Sequence, residues 1–170
     1  MTFAGTLRGQ VADDQIVEQV RAALANSGLE PHRLVLEITE TVLMQDRDAA
    51  AATLWRLKGL GVRIAIDDFG TGYSSLGYLR QRPIDVLKID KTFIDDMVGS
   101  EQQLALVAGI VSLAKTLQLT VVAEGIEDAS HRLILAQLGC PLGQGYYYSE
   151  PLDATEALAW LRNPAPLAAA

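Results

Sequence analysis

Two adjacent carboxylates end an apolar run near the middle of the chain. The run Ile64–Ile66 leads into Asp67 and Asp68, and the glycines Gly70 and Gly72 follow. Two neighbouring carboxylates repel each other and are costly to bury unless a cation lies beside them. Hard divalent cations prefer carboxylate oxygens. The pair therefore indicates either a metal site or an ordinary strand end, with Asp68 capping the next turn.

Polar residues recur at corresponding points after the other apolar runs of the chain. They are Glu37 and Glu40 at the end of Leu34–Ile38, Lys88 and Asp90 at the end of Val86–Ile89, Glu124 and Glu127 after Val121–Ala123, and Gln144 in the last run. The carboxyl ends of parallel strands meet on one face of an α/β fold, where active sites form. Each residue alone could be a helix cap or a solvated rim residue, but their recurrence indicates a shared site.

The residue types in this set suit the cleavage of a phosphodiester. Glu37, Asp67, Asp68 and Glu124 could hold one or two hard divalent ions, with Asp67 able to bridge them. Two such ions stabilise both the attacking and the leaving oxygen of a phosphodiester. Lys88 could orient a water or neutralise a phosphate oxygen, or it could form a salt bridge with a neighbouring aspartate.

Strands and helices that would position these residues alternate along the chain. The predicted strands are 34–38, 62–66, 85–89, 120–123 and one near 143–148, and residues 1–6 could form another. The predicted helices run from Asp13 or Asp14 to Ser27, from Asp46 as a cap through 47–58, and over 73–80, 92–97, 104–117, 129–138 and 153–161. Continuous Val/Ile/Leu strands separated by helices are typical of a parallel sheet buried on both faces. We therefore predict an α/β fold, either an open doubly wound sheet or a (βα) barrel.

Composition narrows the class of protein. The chain has 170 residues, 49% of them hydrophobic, which fits one soluble domain with a real core. The formal charge of −7 argues against generic binding of nucleic acid or anionic membranes. The single cysteine, Cys140, excludes an internal disulfide. Without a signal pattern or an apolar run long enough to span a bilayer, we expect a cytoplasmic protein.

Five motifs together make the chain resemble the EAL-domain family of bacterial phosphodiesterases, which linearise cyclic di-GMP to pGpG. They are Glu-Ile-Thr-Glu at 37–40, Ile-Asp-Asp-Phe-Gly-Thr-Gly-Tyr-Ser-Ser-Leu at 66–76, Leu-Lys-Ile-Asp at 87–90, Val-Ala-Glu-Gly-Ile-Glu at 122–127 and Gln-Gly-Tyr at 144–146. The resemblance extends from about residue 13 to residue 152. It implies a TIM-type (βα) barrel, hydrolysis with Mg²⁺ or Mn²⁺, and cyclic di-GMP as the substrate.

The resemblance also implies a role for each matching residue. Glu37 and Asp67 resemble ligands of a first metal, and Asp67, Asp68 and Glu124 resemble the group around a second. Lys88 matches the lysine that contacts the catalytic water, and Glu124 is a candidate base. Glu40 matches the glutamate that anchors the loop 68–75, which in the family couples metal binding to dimerisation. Glu127 and Gln144 match further residues of the substrate site.

The chain departs from the family pattern at its amino-terminal end. It contains no Glu-Ala-Leu at a suitable place, and Phe3-Ala4-Gly5-Thr6 has Ala or Gly where the family carries an asparagine metal ligand. The resemblance therefore predicts an incomplete barrel with about six of eight strands over residues 1–162, followed by a disordered tail at 163–170. Open strand edges predict either a homodimer, with exchanged or shared elements as one route, or a chain that is poorly stable alone.

The departures leave more than one function open. The leading prediction is an EAL-type phosphodiesterase domain with impaired activity, because two metal ligands are missing from this chain. The alternative is a catalytically inactive module that binds cyclic di-GMP or a protein partner, or that serves in dimerisation. An unrelated acidic α/β binding protein is a third reading.

Overall fold

The computed structural model describes residues 3–6, 15–45, 47–70 and 82–162, and it describes side-chain surroundings for these residues outside 3–6 and 43–49. The chain divides into two compact units. The first consists of Met1–Lys88 and Leu113–Thr120, and the second of Ile89–Ser112 and Val121–Ala170.

Strands and helices alternate along the described residues, as predicted. The strands are β1 (Phe3–Thr6), β2 (Leu34–Thr39), β3 (Arg63–Phe69), β4 (Val86–Ile89), β5 (Thr120–Ala123) and β6 (Leu142–Gly143). The helices are α1 (Gln15–Ser27), α2 (Glu40–Gln45), α3 (Arg47–Gly59), α4 (Lys91–Asp95), α5 (Glu101–Thr116), α6 (Ala129–Leu138) and α7 (Ala154–Arg162), with a short 3₁₀ turn at Pro31–Arg33.

The sheet of the first unit places two predicted site residues on one face. Strands β1 to β4 lie side by side in chain order, and β1–β2 and β2–β3 are parallel pairs. Thr39 of β2 lies opposite Asp67 of β3. Because side chains alternate along a strand, Glu37, two residues before Thr39, lies on the same face as Asp67.

An apolar core holds this sheet in place. Side chains that are almost completely buried in the first unit include Ile38, Leu54, Leu57, Ile64, Ile66 and Leu87. Burying one such side chain contributes about 1.5–3 kcal/mol. The amphipathic helix α1 adds Ile16, Val17 and Val20 to the buried set, as its helical spacing predicts. Core packing therefore fixes β2, β3 and β4, the strands that carry the candidate chemistry.

The second unit contains a short parallel pair and a well-capped helix. In β5–β6, Val122 lies opposite Leu142. Helix α6 begins after Asp128, whose side chain accepts a hydrogen bond from the His131 N–H, and it ends at Gly139, which has a left-handed φ of 84°. The predicted bounds of β5 and α6 are both confirmed.

Three sequence-based assignments around the candidate site residues are wrong. Strand β3 runs through both aspartates to Phe69, a buried side chain that extends its apolar contacts past the carboxylates. Glu40 does not end a strand but begins α2, a helix that was not predicted. Gln144 follows β6 rather than lying in a longer strand, because the chain turns at Gly145 and the Tyr147 N–H bonds to the Ile126 carbonyl.

Several predictions concern residues outside the described ranges. They are the helix at 73–80, the helix caps Asp13, Asp14 and Asp46, and the disordered tail at 163–170. The predicted domain bounds, 1–162, stay a prediction. Among the described residues, no helix combines the length and apolar character needed to cross a membrane.

Asp85, just before β4, joins three parts of the first unit. Its two carboxylate oxygens each accept a hydrogen bond from the Lys58 ammonium of α3 at 2.8 Å, and Oδ2 also accepts one from the Ile64 N–H of β3 at 2.8 Å. Its backbone carbonyl accepts a hydrogen bond from the Thr120 N–H at 2.9 Å. This half-buried carboxylate therefore ties α3 to the sheet.

Asp85→Asn should lower the free energy of unfolding by about 1–3 kcal/mol, because a charged acceptor shared by three hydrogen bonds is lost. Urea unfolding measures the change. Glu18→Gln is the matched control, since it removes only an exposed ion pair with Arg21 and should cost less than about 0.5 kcal/mol. Equal losses in both variants would contradict the role given to Asp85.

Asp128→Ala should cost about 1 kcal/mol near neutral pH, because α6 loses its N-cap. The Ser130 hydroxyl and the His131 N–H hold the pKa of Asp128 below its ordinary value of 3.8. A lowered pKa gives stability that is full above the unfolded-state value and is lost as the pH falls through the folded-state value. Urea unfolding should therefore show wild type and variant converging in strong acid, with Asp128→Asn retaining most of the cap at all pH values.

Candidate functional site

Lys88 lies between two carboxylates in the first unit. Its ammonium is 3.1 Å from Glu37 Oε1 and 2.8 Å from Asp67 Oδ1. The Lys88 side chain is 6% exposed, and those of Glu37 and Asp67 are 14% and 17% exposed. The three residues come from β4, β2 and β3 respectively. The three residues are separated by up to 51 positions in the sequence. They meet because their strands are neighbours in the sheet.

Glu37, Asp67 and Lys88 contribute two negative charges and one positive charge. A buried ammonium requires paired carboxylates, because unpaired charges are costly in a low-dielectric environment. One carboxylate neutralises Lys88, and the second leaves a formal charge of −1 on the group. Glu37, Asp67 and Lys88 (the buried triad) therefore form an environment that favours an added cation.

Asp67 provides a direct test of whether a metal fits. Its Oδ1 is buried and has no hydrogen-bond partner among the described residues. The Lys88 ammonium lies within ion-pair distance of that oxygen but does not meet the angles of a hydrogen bond. A buried carboxylate oxygen with unused acceptor capacity fits the chemistry of Mg²⁺ or Mn²⁺, which are hard cations that take oxygen ligands. The residues present therefore suit the ion that the resemblance implies.

Asp68 adopts an unusual backbone conformation beside the triad. Its φ is +55°, in the left-handed region, whereas the preceding residues of β3 are extended. Asp tolerates this region better than most residues, but the conformation still carries strain. Regular alternation of side chains ends at this residue, so the sequence pattern alone does not fix the face on which its carboxylate lies.

Glu40 contacts the turn that follows β3. It is buried, and its Oε2 accepts a hydrogen bond from the Gly70 N–H at 3.2 Å. Gly70 itself has a φ of +98°, which favours glycine. This contact supports the role of loop anchor predicted for Glu40, although residues 71–75 of that loop are outside the described ranges.

The remaining predicted site residues belong to the second unit. Gln144 donates a hydrogen bond from its side-chain amide to Glu124 Oε1. The Glu124 N–H bonds to the Ile89 carbonyl at 3.0 Å, and the Ile126 N–H bonds to the Gln144 carbonyl at 3.0 Å. The segment Glu124–Glu127 (the β5–α6 loop) is therefore held by backbone bonds on two sides, with Glu124 oriented by Gln144.

Glu127 is held by a lysine that sequence reasoning missed. The Lys91 ammonium donates to Glu127 Oε1 and to Asp95 Oδ1, each at 2.7 Å. The carboxylates of Asp95 and Glu127 hold the pKa of Lys91 well above its ordinary value. The spacing of Lys91 and Asp95, four residues apart in a helix, is a signal for such a pair, but nothing in the sequence pointed to Glu127 as the second partner.

A cavity of about 410 Å³ lies beside this loop, within the second unit. Its lining residues are Gly125, Glu127, Gln144, Gly145, Tyr146, Ser149, Glu150 and Pro151. Two of the three predicted residues of the second unit, Glu127 and Gln144, thus share one cavity wall. The cavity thus holds the aromatic ring of Tyr146, the carboxylates of Glu127 and Glu150 and the amide of Gln144. These groups could contact a planar polar ligand by stacking and hydrogen bonding.

Comparisons with known proteins give the family of this chain. The family model for the EAL domain matches residues 7–151. A relative from Pseudomonas aeruginosa, the bifunctional diguanylate cyclase/cyclic di-GMP phosphodiesterase MucR, is 45% identical over 150 residues. That match covers 88% of this chain but 22% of the relative.

Two solved structures are similar over most of the chain. The EAL domain of Mycobacterium smegmatis DcpA has a TM-score of 0.91 and 35% identity, covering 98% of this chain and 75% of that one. Klebsiella pneumoniae BlrP1, solved as a manganese/cy-diGMP complex, has a TM-score of 0.83 and 33% identity, covering 88% of this chain and 39% of that one.

The chain belongs to the EAL domain family. The α/β fold of TIM-barrel type that the sequence predicted is confirmed by its structural neighbours, which are EAL domains. The chain spans less than a quarter of the length of the MucR relative.

Lys88→Met should lower the free energy of unfolding by about 3–5 kcal/mol, because two largely buried carboxylates lose the ammonium that lies between them. Added Mn²⁺ should restore part of that loss, since a divalent ion can replace the missing positive charge. Thermal unfolding with and without Mn²⁺ measures both effects.

Lys58→Met is the matched control for this experiment. It also removes a half-buried lysine, but the partner it leaves, Asp85, is a single carboxylate at the other end of β4. Mn²⁺ should not stabilise this variant beyond wild type. If Mn²⁺ stabilised both variants equally, the metal preference assigned to the buried triad would be wrong.

Proposed function

We propose that this chain is a cyclic di-GMP phosphodiesterase domain that hydrolyses cyclic di-GMP to pGpG with Mg²⁺ or Mn²⁺. The observation that carries the proposal is the buried triad, in which Lys88 lies between Glu37 and Asp67 and one aspartate oxygen has no hydrogen bond from the part of the chain that the structure describes. The names of the relatives support the same substrate, since MucR is described as a cyclic di-GMP phosphodiesterase and BlrP1 was solved with cy-diGMP and manganese.

Each residue has a proposed role in that reaction. Glu37 and Asp67 would hold one ion, and Asp67, Asp68 and Glu124 would hold a second. When bound, the ions would supply positive charge that stabilises the attacking and leaving oxygens of the phosphodiester. Lys88 donates a hydrogen bond that orients the attacking water, and Glu124 is the candidate base that accepts its proton.

Three further residues serve binding and positioning in this proposal. Gln144 fixes the carboxylate of Glu124 through its amide. Glu127 and Gln144 line the cavity of the second unit, where they would contact the substrate. Glu40 holds the turn after β3 through Gly70, and it would couple the metal site to dimer formation.

A second candidate function is a module that binds cyclic di-GMP, or a protein partner, without turnover. One observation favours it. Strand β1 has the sequence Phe3-Ala4-Gly5-Thr6, and its register places Gly5 opposite Leu36 and Thr6 opposite Glu37. This strand therefore offers neither the carboxylate nor the amide oxygen that a metal next to Glu37 would use, and weaker metal binding would lower activity.

We also propose a homodimer and a cytoplasmic location. The dimer is supported by strand edges that need cover and by the family role of the loop after β3. Light scattering at micromolar concentration tests it, and a compact, stable monomer would contradict it. A cytoplasmic location fits the cysteine content of the sequence, a single residue, Cys140, which is buried.

Incubation with cyclic di-GMP and Mn²⁺ should yield pGpG, detected by chromatography, and Asp67→Asn should reduce the rate by about 100-fold or more, because an anionic ligand is replaced by a neutral one. Glu18→Gln, an exposed change on α1, is the control and should leave the rate unaltered. Product formation that survived Asp67→Asn at the wild-type rate would refute the metal assignment.

Calorimetry on the same samples separates the two candidate functions. Turnover that depends on the metal supports the enzyme. Binding of cyclic di-GMP without pGpG formation supports the inactive module. Absence of both binding and turnover would refute cyclic di-GMP as the ligand of this chain.

A further inference from the structure

The β5–α6 loop carries Glu124 and Glu127, the two glutamates that the second unit contributes to the proposed reaction. Backbone bonds hold the loop at Glu124 and at Ile126. The last residue of the loop, Glu127, is held through its side chain instead. The ammonium that fixes it comes from Lys91, at the start of α4.

Lys91 contacts the loop at a second point as well. A Cβ atom added at Gly125 would lie 2.3 Å from Lys91 Cγ and 2.6 Å from Lys91 Cβ. The aliphatic stem of Lys91 therefore packs directly over the backbone of Gly125, at the position between the two glutamates. Gly125 also has a φ of +68°, so both its conformation and this close approach favour glycine.

Contacts fix both the ammonium and the backbone of Lys91. Asp95, one helical turn further along α4, accepts the second hydrogen bond from the Lys91 ammonium at 2.7 Å. Asp90 caps the start of the same helix by accepting a hydrogen bond from the Thr92 N–H. Holding Lys91 at both ends of its side chain reduces the number of conformations that it must lose to hold the loop.

We infer that Lys91 is a positioning residue that fixes the β5–α6 loop, and through it the orientation of Glu124 and Glu127. The inference rests on the proposed function, because those two glutamates act on substrate only if the chain is a phosphodiesterase domain. Lys91 contacts no reacting group in this scheme. Its contribution is geometric, and a displacement of about 1 Å in a reacting group can cost up to 100-fold in rate.

Both ion pairs of Lys91 are about half exposed, which sets the size of the expected effect. Exposed pairs contribute little to global stability, so removal of Lys91 should loosen the loop without unfolding the unit. Lys91→Met keeps the length and apolar character of the stem but removes the ammonium. We expect kcat to fall by about fivefold to tenfold, because Glu124 is held less well, and KM to rise, because Glu127 is no longer fixed where it would contact the substrate.

Hydrogen exchange gives a readout that is independent of activity. The N–H groups of Glu124 and Ile126 are hydrogen-bonded and should exchange faster in Lys91→Met, while those of β2 and β3 should not change. Lys91→Arg should restore slow exchange, because guanidinium can reach both carboxylates. Asp95→Asn should lie between wild type and Lys91→Met, because the bond from Lys91 to Glu127 remains but the lysine is held less firmly.

A double-mutant cycle separates positioning from a general structural role. If Lys91 acts through Glu127, Lys91→Met combined with Glu127→Gln should be no slower than Glu127→Gln alone. Additive losses of rate would overturn the inference, as would a loss of activity that matches the fraction of unfolded protein.

The outcomes also distinguish this inference from the proposed function. Unchanged exchange at Glu124 and Ile126 in Lys91→Met overturns the inference whatever the activity. Faster exchange together with an unchanged kcat overturns the positioning role. Faster exchange in a protein whose wild type forms no pGpG supports the structural part of the inference and refutes the proposed function instead.

Discussion

The ion pairs of Lys88 with Glu37 and Asp67 are the interaction on which the candidate site depends. Three charged side chains are almost excluded from water, and each would be costly to bury without the others. They can share one position only because β2, β3 and β4 lie side by side in that order. The apolar residues between them, such as Ile38, Ile66 and Leu87, supply the packing that holds the strands together. The chemistry of the site and the formation of the sheet are therefore inseparable.

The glutamates of the second unit must be positioned in another way, because they lie in a loop rather than in a buried strand. Loops have few internal constraints, so their conformation must be fixed by neighbours. Gly125, Gly143 and Gly145 allow backbone segments to approach closely where any Cβ would collide with Lys91 or Ile126. Hydrogen bonds from Gln144 and Lys91 then orient Glu124 and Glu127. The conformation of this loop therefore depends on glycines that leave room for its neighbours as well as on the hydrogen bonds of its carboxylates.

The sequence predicted the strand-helix alternation well because apolar periodicity reports burial directly. It predicted Glu37, Asp67 and Lys88 as a group because parallel strands place corresponding residues at one edge. It failed where tertiary contacts decide the outcome. The extension of β3 to Phe69 depends on burial of that ring, and helix α2 begins at a glutamate that the pattern assigned to a strand end. The contact between Lys91 and Glu127 joins residues 36 positions apart and leaves no periodic signal.

The asymmetry of the buried triad bears on which function the chain performs. Lys88 already neutralises one carboxylate, so a purely structural role would be served by a single ion pair. The second carboxylate adds a buried negative charge, and Asp67 Oδ1 has no hydrogen bond among the described residues. A fold selected only for stability gains little from that arrangement, because a negative charge with little access to water is costly unless a further cation compensates it. A divalent cation would take that oxygen as a ligand, and this is the physical reason to favour the proposed phosphodiesterase over the inactive module.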